Sequence, residues 1–177
     1  MSDVVRVRWG GAKTNGDFIC IETWSGYRSA SRDPHGVQYL FDMDVSDEAL
    51  GAAVRDVLIH SRFVLLAPRK DVRIHPEATF DADFYDYKKG IERYAKWTKD
   101  LMGKYGYKTK RALFMDMKSC DIEEREGVIT IGPNHHEKLE AWGREKGDGI
   151  EDVVIEASRG PSEIGAALRL AFSRCTE

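Results

Sequence analysis

No apolar run in this 177-residue sequence approaches the ~20 residues that a bilayer-spanning helix needs, which excludes a helical membrane protein. The opening residues, MSDVVRVRWG, hold neither the apolar stretch of a secretory signal nor a small-residue cleavage site. They predict a protein that stays in the cytoplasm, where it is made. Cysteine is scarce: Cys20, Cys120 and Cys175 are odd in number and far apart. That spacing excludes a disulfide framework and a zinc knuckle, and predicts reduced, mostly buried thiols. No excess of one charge is present either. A formal net charge of -3 provides no global field to draw the chain to DNA or to an anionic membrane. Sixteen glycines and five prolines are too few for a collagen-like or disordered chain.

The composition that remains, 42% hydrophobic over this length, suits one domain with a real core and hardly two. Alternation at Val4 to Trp9 predicts an edge strand, with Gly10-Gly11 and Asn15-Gly16 as punctuation. Strands are also expected at Phe18 to Thr23, Val37 to Val45 and Phe63 to Ala67, with a loop at Trp24 to Gly36. That loop carries Arg28, Arg32 and several hydroxyls but no phosphate-binding glycine motif, so it reads as structural. Ser46 is a good N-cap for a helix whose Leu50, Ala53, Val54, Val57 and Leu58 form one apolar stripe. A second helix is expected from Tyr87 to Tyr105, ended by Gly106. The stretch Lys104 to Cys120 then reads as the helix-to-strand junction about which the fold is organised, with Ala112 to Phe114 in a buried strand. A hairpin is expected around Glu126-Gly127, a short helix from Asn134 to Trp142, an internal strand at Asp152 to Ala157, and a last helix capped by Ser162. Gly165 in its first turn implies a close backbone approach. These elements give an α/β (α+β) fold: a single domain, 1–177, with a central mixed β-sheet flanked by helices.

Chemistry is harder to find. No nucleophile elbow selects a Ser or Cys with a positioned His and acid. The acids Asp116, Asp152 and Glu156 suggest a metal nuclease, but the lysine such a site needs is missing after Glu156, where Ala157-Ser158 stand instead. His135 and His136 are adjacent, so they cannot share one helix face as an i, i+4 ligand pair does. The acidic run near Asp81 lacks the glycine and the closing glutamate of a calcium loop. The sequence therefore assigns no catalytic set, no metal and no cofactor.

Several segments, taken in order, carry a family resemblance. They are TWSGYRSAS (Thr23 to Ser31), DEALGAAV (Asp47 to Val54) with Ser61-Arg62, LMGKYGYKTKRALFMDMKSC (Leu101 to Cys120), ITIGPNHHEKLEAW (Ile129 to Trp142) and EIGAALRLAFSRC (Glu163 to Cys175). The chain resembles the immunity proteins of bacterial contact-dependent growth inhibition systems, the CdiI family. The resemblance implies a non-catalytic cytoplasmic protein that binds and neutralises the C-terminal toxin domain of a cognate effector. Such toxins are commonly nucleases, often directed at tRNA.

A nuclease groove must be basic, so an inhibitor covering it is expected to offer clustered carboxylates. Two clusters stand out: Asp81, Asp83 and Asp86, with Phe84 and Tyr85 as packing anchors, and Asp121, Glu123, Glu124 and Glu126 at the hairpin. These nine residues are the expected toxin-binding set, with no direct nucleic-acid or membrane contact. Two other readings stay open. One is a small RNA-binding module using Lys104 to Arg111 with Tyr105 and Tyr107; the other is a metal-dependent hydrolase or nuclease without a familiar motif.

Overall fold

Gly10 and Gly11 do not break the chain; they lie inside its central strand. The computed structural model describes residues 4–177. In it β1 (Val7–Thr14) runs antiparallel to β2 (Phe18–Gly26) through the Asn15-Gly16 turn. The expected edge strand is thus shifted in register and moved to the middle of the sheet. The reason is packing. A Cβ on Gly11 would stand 2.6 Å from the Trp24 indole, and one on Gly10 would stand 3.1 Å from Val57. Both glycines let neighbours lie directly on the strand.

The expected loop after Trp24 is also ordered: β2 continues, and β3 (Ala30–Arg32) folds back on it. Next, β4 (Gln38–Asp42) pairs with the first half of β2, so β3 and β4 share one edge. Helix α1 (Asp47–Ile59) begins as expected, the Ser46 hydroxyl accepting from the Ala49 N–H. The short β5 (Val64–Leu65) and β6 (Thr79–Phe80) pair in parallel, and a 3₁₀ turn at Asp83–Tyr85 leads into α2 (Tyr87–Tyr105). Gly106 closes α2 at φ 74°, where a Cβ would be penalised.

The junction after α2 is a helix. Thr109 caps α3 (Lys110–Phe114), its hydroxyl accepting from the Ala112 N–H. Leu113 and Phe114 are buried as expected, but by one helical turn rather than a strand. The predicted hairpin forms as β7 (Lys118–Arg125) and β8 (Val128–Pro133), with Glu126 and Gly127 both at positive φ, the twist that tight hairpins favour. The helix expected after Asn134 is instead a second hairpin, β9 (His135–Lys138) and β10 (Ala141–Gly143). Its backbone is held by Thr176, which accepts from the His136 N–H and donates to the Asn134 carbonyl. The strand β11 (Val153–Glu156) pairs only with β8 and is an edge strand, not an internal one; Val154 is 64% exposed. Finally, α4 (Pro161–Arg174) is capped by Gly160 with Pro161 in its first turn, displacing Ser162 from the expected cap.

The main sheet runs β11-β8-β7-β1-β2, with β3 and β4 on the far edge. All its ladders are antiparallel, because tight turns join most sequence neighbours; among the described residues parallel pairing is confined to β5–β6 and isolated bridges. The α+β class with a central sheet and flanking helices is as expected; the mixed character of that sheet is not. Helices α1 and α4 cover one face over Ala12, Ile19, Ile21, Cys120, Ile122, Ile129 and Ile131. The opposite face is covered mainly at one end, where α2 and α3 bring Trp97, Leu101, Leu113 and Phe114 onto Phe18 and Cys20, with Leu139 and Trp142 of the second hairpin packed against them.

Glycine sets the α1–α4 contact. A Cβ on Gly165 would stand 1.8 Å from the Asp47 carbonyl oxygen, and one on Gly51 would stand 1.7 Å from that of Pro161. Gly165→Ala should therefore destabilise the chain by about 3 kcal/mol, the upper part of the usual overpacking range. Leu113→Ala should cost about 2–5 kcal/mol by emptying its fully buried site. Urea melts at neutral pH would check both values.

Candidate partner-binding face

Strand alternation places Trp9, Gly11 and Lys13 of β1, Trp24, Glu22 and Cys20 of β2, and Glu123, Asp121 and Ser119 of β7 on the half-covered face. Glu22 lies at its centre and is buried. Arg32 reaches it with two hydrogen bonds, Nε to Oε2 at 2.7 Å and Nη2 to Oε1 at 2.8 Å, while the Trp24 indole N–H donates at 3.3 Å. Burial alone would raise the Glu22 carboxyl; the Arg32 charge and its hydrogen bonds, with Lys13 and Trp24, hold it below its ordinary value. The Arg32 guanidinium in turn lies 3.8 Å from the Trp97 ring centre, and the Trp97 N–H donates to Gln38 at 2.9 Å. Lys13 follows on the other side of Trp24. Its ammonium stands 5.2 Å from the Trp24 ring and 5.5 Å from that of Trp142. Trp142 is fixed by a 2.7 Å hydrogen bond to the Met117 carbonyl and by stacking on His136.

The strip therefore reads Trp97, Arg32, Glu22, Trp24, Lys13, Trp142. At its Arg32 end it opens into a cleft of about 490 Å³ between α2 and the β3–β4 edge, lined by Arg32, Gln38, Leu40, Phe84, Tyr94 and Trp97 among others. Beyond the cleft, α2 presents Tyr87 and Ile91 to solvent, 83% and 52% exposed.

The two predicted acidic clusters fare differently. Asp81 is bound by Arg62 at 3.0 Å and accepts from the Phe84 N–H; Asp83 pairs with Lys89 at 2.7 Å; Asp86 caps α2 through the Lys89 N–H at 2.8 Å. Phe84 is buried, while Tyr85 is 42% exposed and donates to the Val64 carbonyl. This cluster is woven into the fold, and Phe84 lines the cleft. Of the second cluster, Asp121 and Glu123 share the open face, Glu124 points to the opposite one, and Glu126 occupies the turn. Asp121 is solvent-accessible, yet crowding by the surrounding protein pushes its carboxyl up, against a 3.3 Å hydrogen bond from Asn134 and the Lys13 charge. Tyr105 stacks on Phe18 at 4.3 Å, and the Tyr107 hydroxyl bonds Asn15 and Asp17. Among the described residues no group of three His, Cys, Asp or Glu side chains converges as a metal site would.

Residues 8–175 match the family model described as CDI immunity protein. The chain belongs to that family. It is 57% identical over 175 residues to immunity protein CdiI-YPIII of Yersinia pseudotuberculosis serotype O:3 (strain YPIII), covering 99% of both chains. In structure it matches a chain of the CdiA-CT/CdiI toxin and immunity complex from Yersinia pseudotuberculosis, with TM-score 0.93 and 57% identity over 98% of this chain and 100% of that one. It also matches NMB0488 from Neisseria meningitidis, a protein of unknown function, with TM-score 0.82 and 38% identity over 99% of each.

The sequence reading missed Lys13, Glu22, Trp24, Arg32 and Trp142 as a group. Their one visible signal was Glu22 and Lys13 at alternating positions of apolar strands, a pattern that places charge on an otherwise covered face.

Arg32 is positioned by a second carboxylate. Asp33 accepts from Ser25 Oγ at 2.6 Å, from the His35 N–H at 2.9 Å and from Arg62 at 2.6 and 2.8 Å. Burial would raise its carboxyl, but the Arg62, Ser25 and His35 hydrogen bonds keep it below its ordinary value. A depressed carboxylate stabilises the fold fully above the ordinary Asp range and loses that contribution as pH falls through the folded value. Asp33→Asn should thus cost about 3 kcal/mol at pH 7. The difference from wild type should shrink as the pH of the urea melts is lowered below 4.

Proposed function

We infer that this chain binds the C-terminal toxin domain of a cognate contact-dependent growth inhibition effector and neutralises it by stoichiometric binding, without catalysis of its own. The observation that carries this reading is the full-length likeness, at 57% identity, to a chain of a toxin and immunity complex. The half-covered sheet face is the contact surface we assign, with Asp121 and Glu123 at one end and, at the other, the cleft with Phe84 and the neighbouring surface of Tyr85, Tyr87 and Ile91. Carboxylates at one end of the face and aromatics at the other suit a basic partner: charge steers the encounter, and packed rings supply lasting affinity. The toxin so recognised is a nuclease, with tRNA among its candidate substrates, and neutralisation takes place in the cytoplasm.

The test is to produce the cognate toxin domain with and without this chain. Growth should be restored and a one-to-one complex recovered; a toxin that stays lethal beside folded chain would overturn the reading. In stopped-flow association, replacing Asp121 and Glu123 by Asn and Gln should slow binding about tenfold at low salt and much less at high salt. A rate unchanged by both replacements would move the interface elsewhere.

A further inference from the structure

Lys13 is 8% exposed, and among the described residues its ammonium has no hydrogen-bond acceptor and no ion pair. A lysine this buried is almost always paired. Glu22, the nearest buried carboxylate in the strip, is held on both oxygens by Arg32. Asp121, on the neighbouring strand, is drawn to Asn134. Nor is the ammonium sealed off, since Thr98 Oγ1 is the one fully enclosed side-chain N or O atom without a partner among the described residues. Its tip is therefore not fully enclosed, and it sits between two indole rings that attract a cation but cannot accept its three N–H bonds in their plane.

We propose that Lys13, caged by Trp24 and Trp142, is the receptor for one carboxylate of the bound partner. The proposal rests on the function inferred above and adds the chemistry of one contact. A carboxylate fits better than a neutral carbonyl because the cage leaves a desolvated full charge, and a charge-assisted hydrogen bond to such a group is about twice as strong as a neutral one. The cage also makes the contact selective. Trp24 lies flat on Gly11, so the pocket wall cannot retreat to admit a bulkier group. On a basic toxin, an acid that enters this cage sets the register, while Asp121 and Glu123 meet the surrounding cations. The carboxylate could be an Asp or Glu side chain or the partner's terminal carboxylate.

The experiment measures binding of the cognate toxin domain to wild type, Lys13→Met and Lys13→Arg by surface plasmon resonance. Met fills the same apolar cage, so Lys13→Met should melt at or above the wild-type temperature. Its affinity should nevertheless fall at least about 30-fold, chiefly through faster dissociation, the signature of losing one side of a buried charge pair. Lys13→Arg keeps the charge and should lose less than about tenfold, and it remains informative should Lys13→Met fail to fold. On the toxin side, each Asp and Glu is neutralised in turn, and a separate toxin is extended by two glycines to displace its terminal carboxylate. One of these should reproduce the loss and show no further loss when combined with Lys13→Met. Unchanged affinity in folded Lys13→Met overturns the proposal while leaving the proposed function intact. So does the absence of coupling to every acid and to the extension. A wild-type chain that does not bind the toxin at all removes the function and the proposal together.

Discussion

The Glu22–Arg32 pair is the constraint on which one whole side of this molecule depends. A carboxylate on a central strand is costly to bury unless both oxygens are bound. Here Arg32 binds both, and Arg32 can do so because β3 folds back on β2 rather than leaving as a loop. That return is held by Asp33, which Arg62 clamps from the far end of α1, and Arg62 also holds Asp81 before the 3₁₀ turn. One carboxylate thus ties together the sheet edge, the end of α1 and the approach to α2.

The two faces of the sheet follow from this division. On one, α1 and α4 exclude water over aliphatic side chains, with glycine at both crossing positions so that backbones touch. On the other, α2 and α3 cover the Phe18 and Cys20 end, with Leu139 and Trp142 of the second hairpin packed beside them. The remainder keeps charge in place with tryptophan rings instead of aliphatic packing. Such a face is expensive for folding alone, and local strain or cost of this kind tends to collect where a protein meets a partner.

Much of the fold was legible in the sequence because local signals acted alone there. Ser46, Gly106 and the Glu126-Gly127 pair each fix a boundary by backbone chemistry that no distant contact overrides. The failures share one cause. Gly10-Gly11 reads as a break only if nothing lies on it, and Trp24 does. The stretch after Asn134 has polar residues at helical spacing, yet its backbone partner is Thr176, some forty residues on. The same cause hid the site: Asp121 and Glu123 were visible as acids, but Lys13, Glu22, Arg32 and three tryptophans meet only through strand pairing and the α2 cover. Their grouping is a property of register, and register is not written locally.

The position of β1 has a consequence for how the chain is made. Its first neighbour, β2, follows at once, but its second, β7, is roughly a hundred residues later. A ribosome adding about 5–20 residues per second leaves the β1 edge unpaired for on the order of 5–20 s in each nascent chain. During that interval the β1 edge beside Lys13 and Trp24 lacks the strand that completes it, so the central ladder of the sheet can close only after most of the chain has been made.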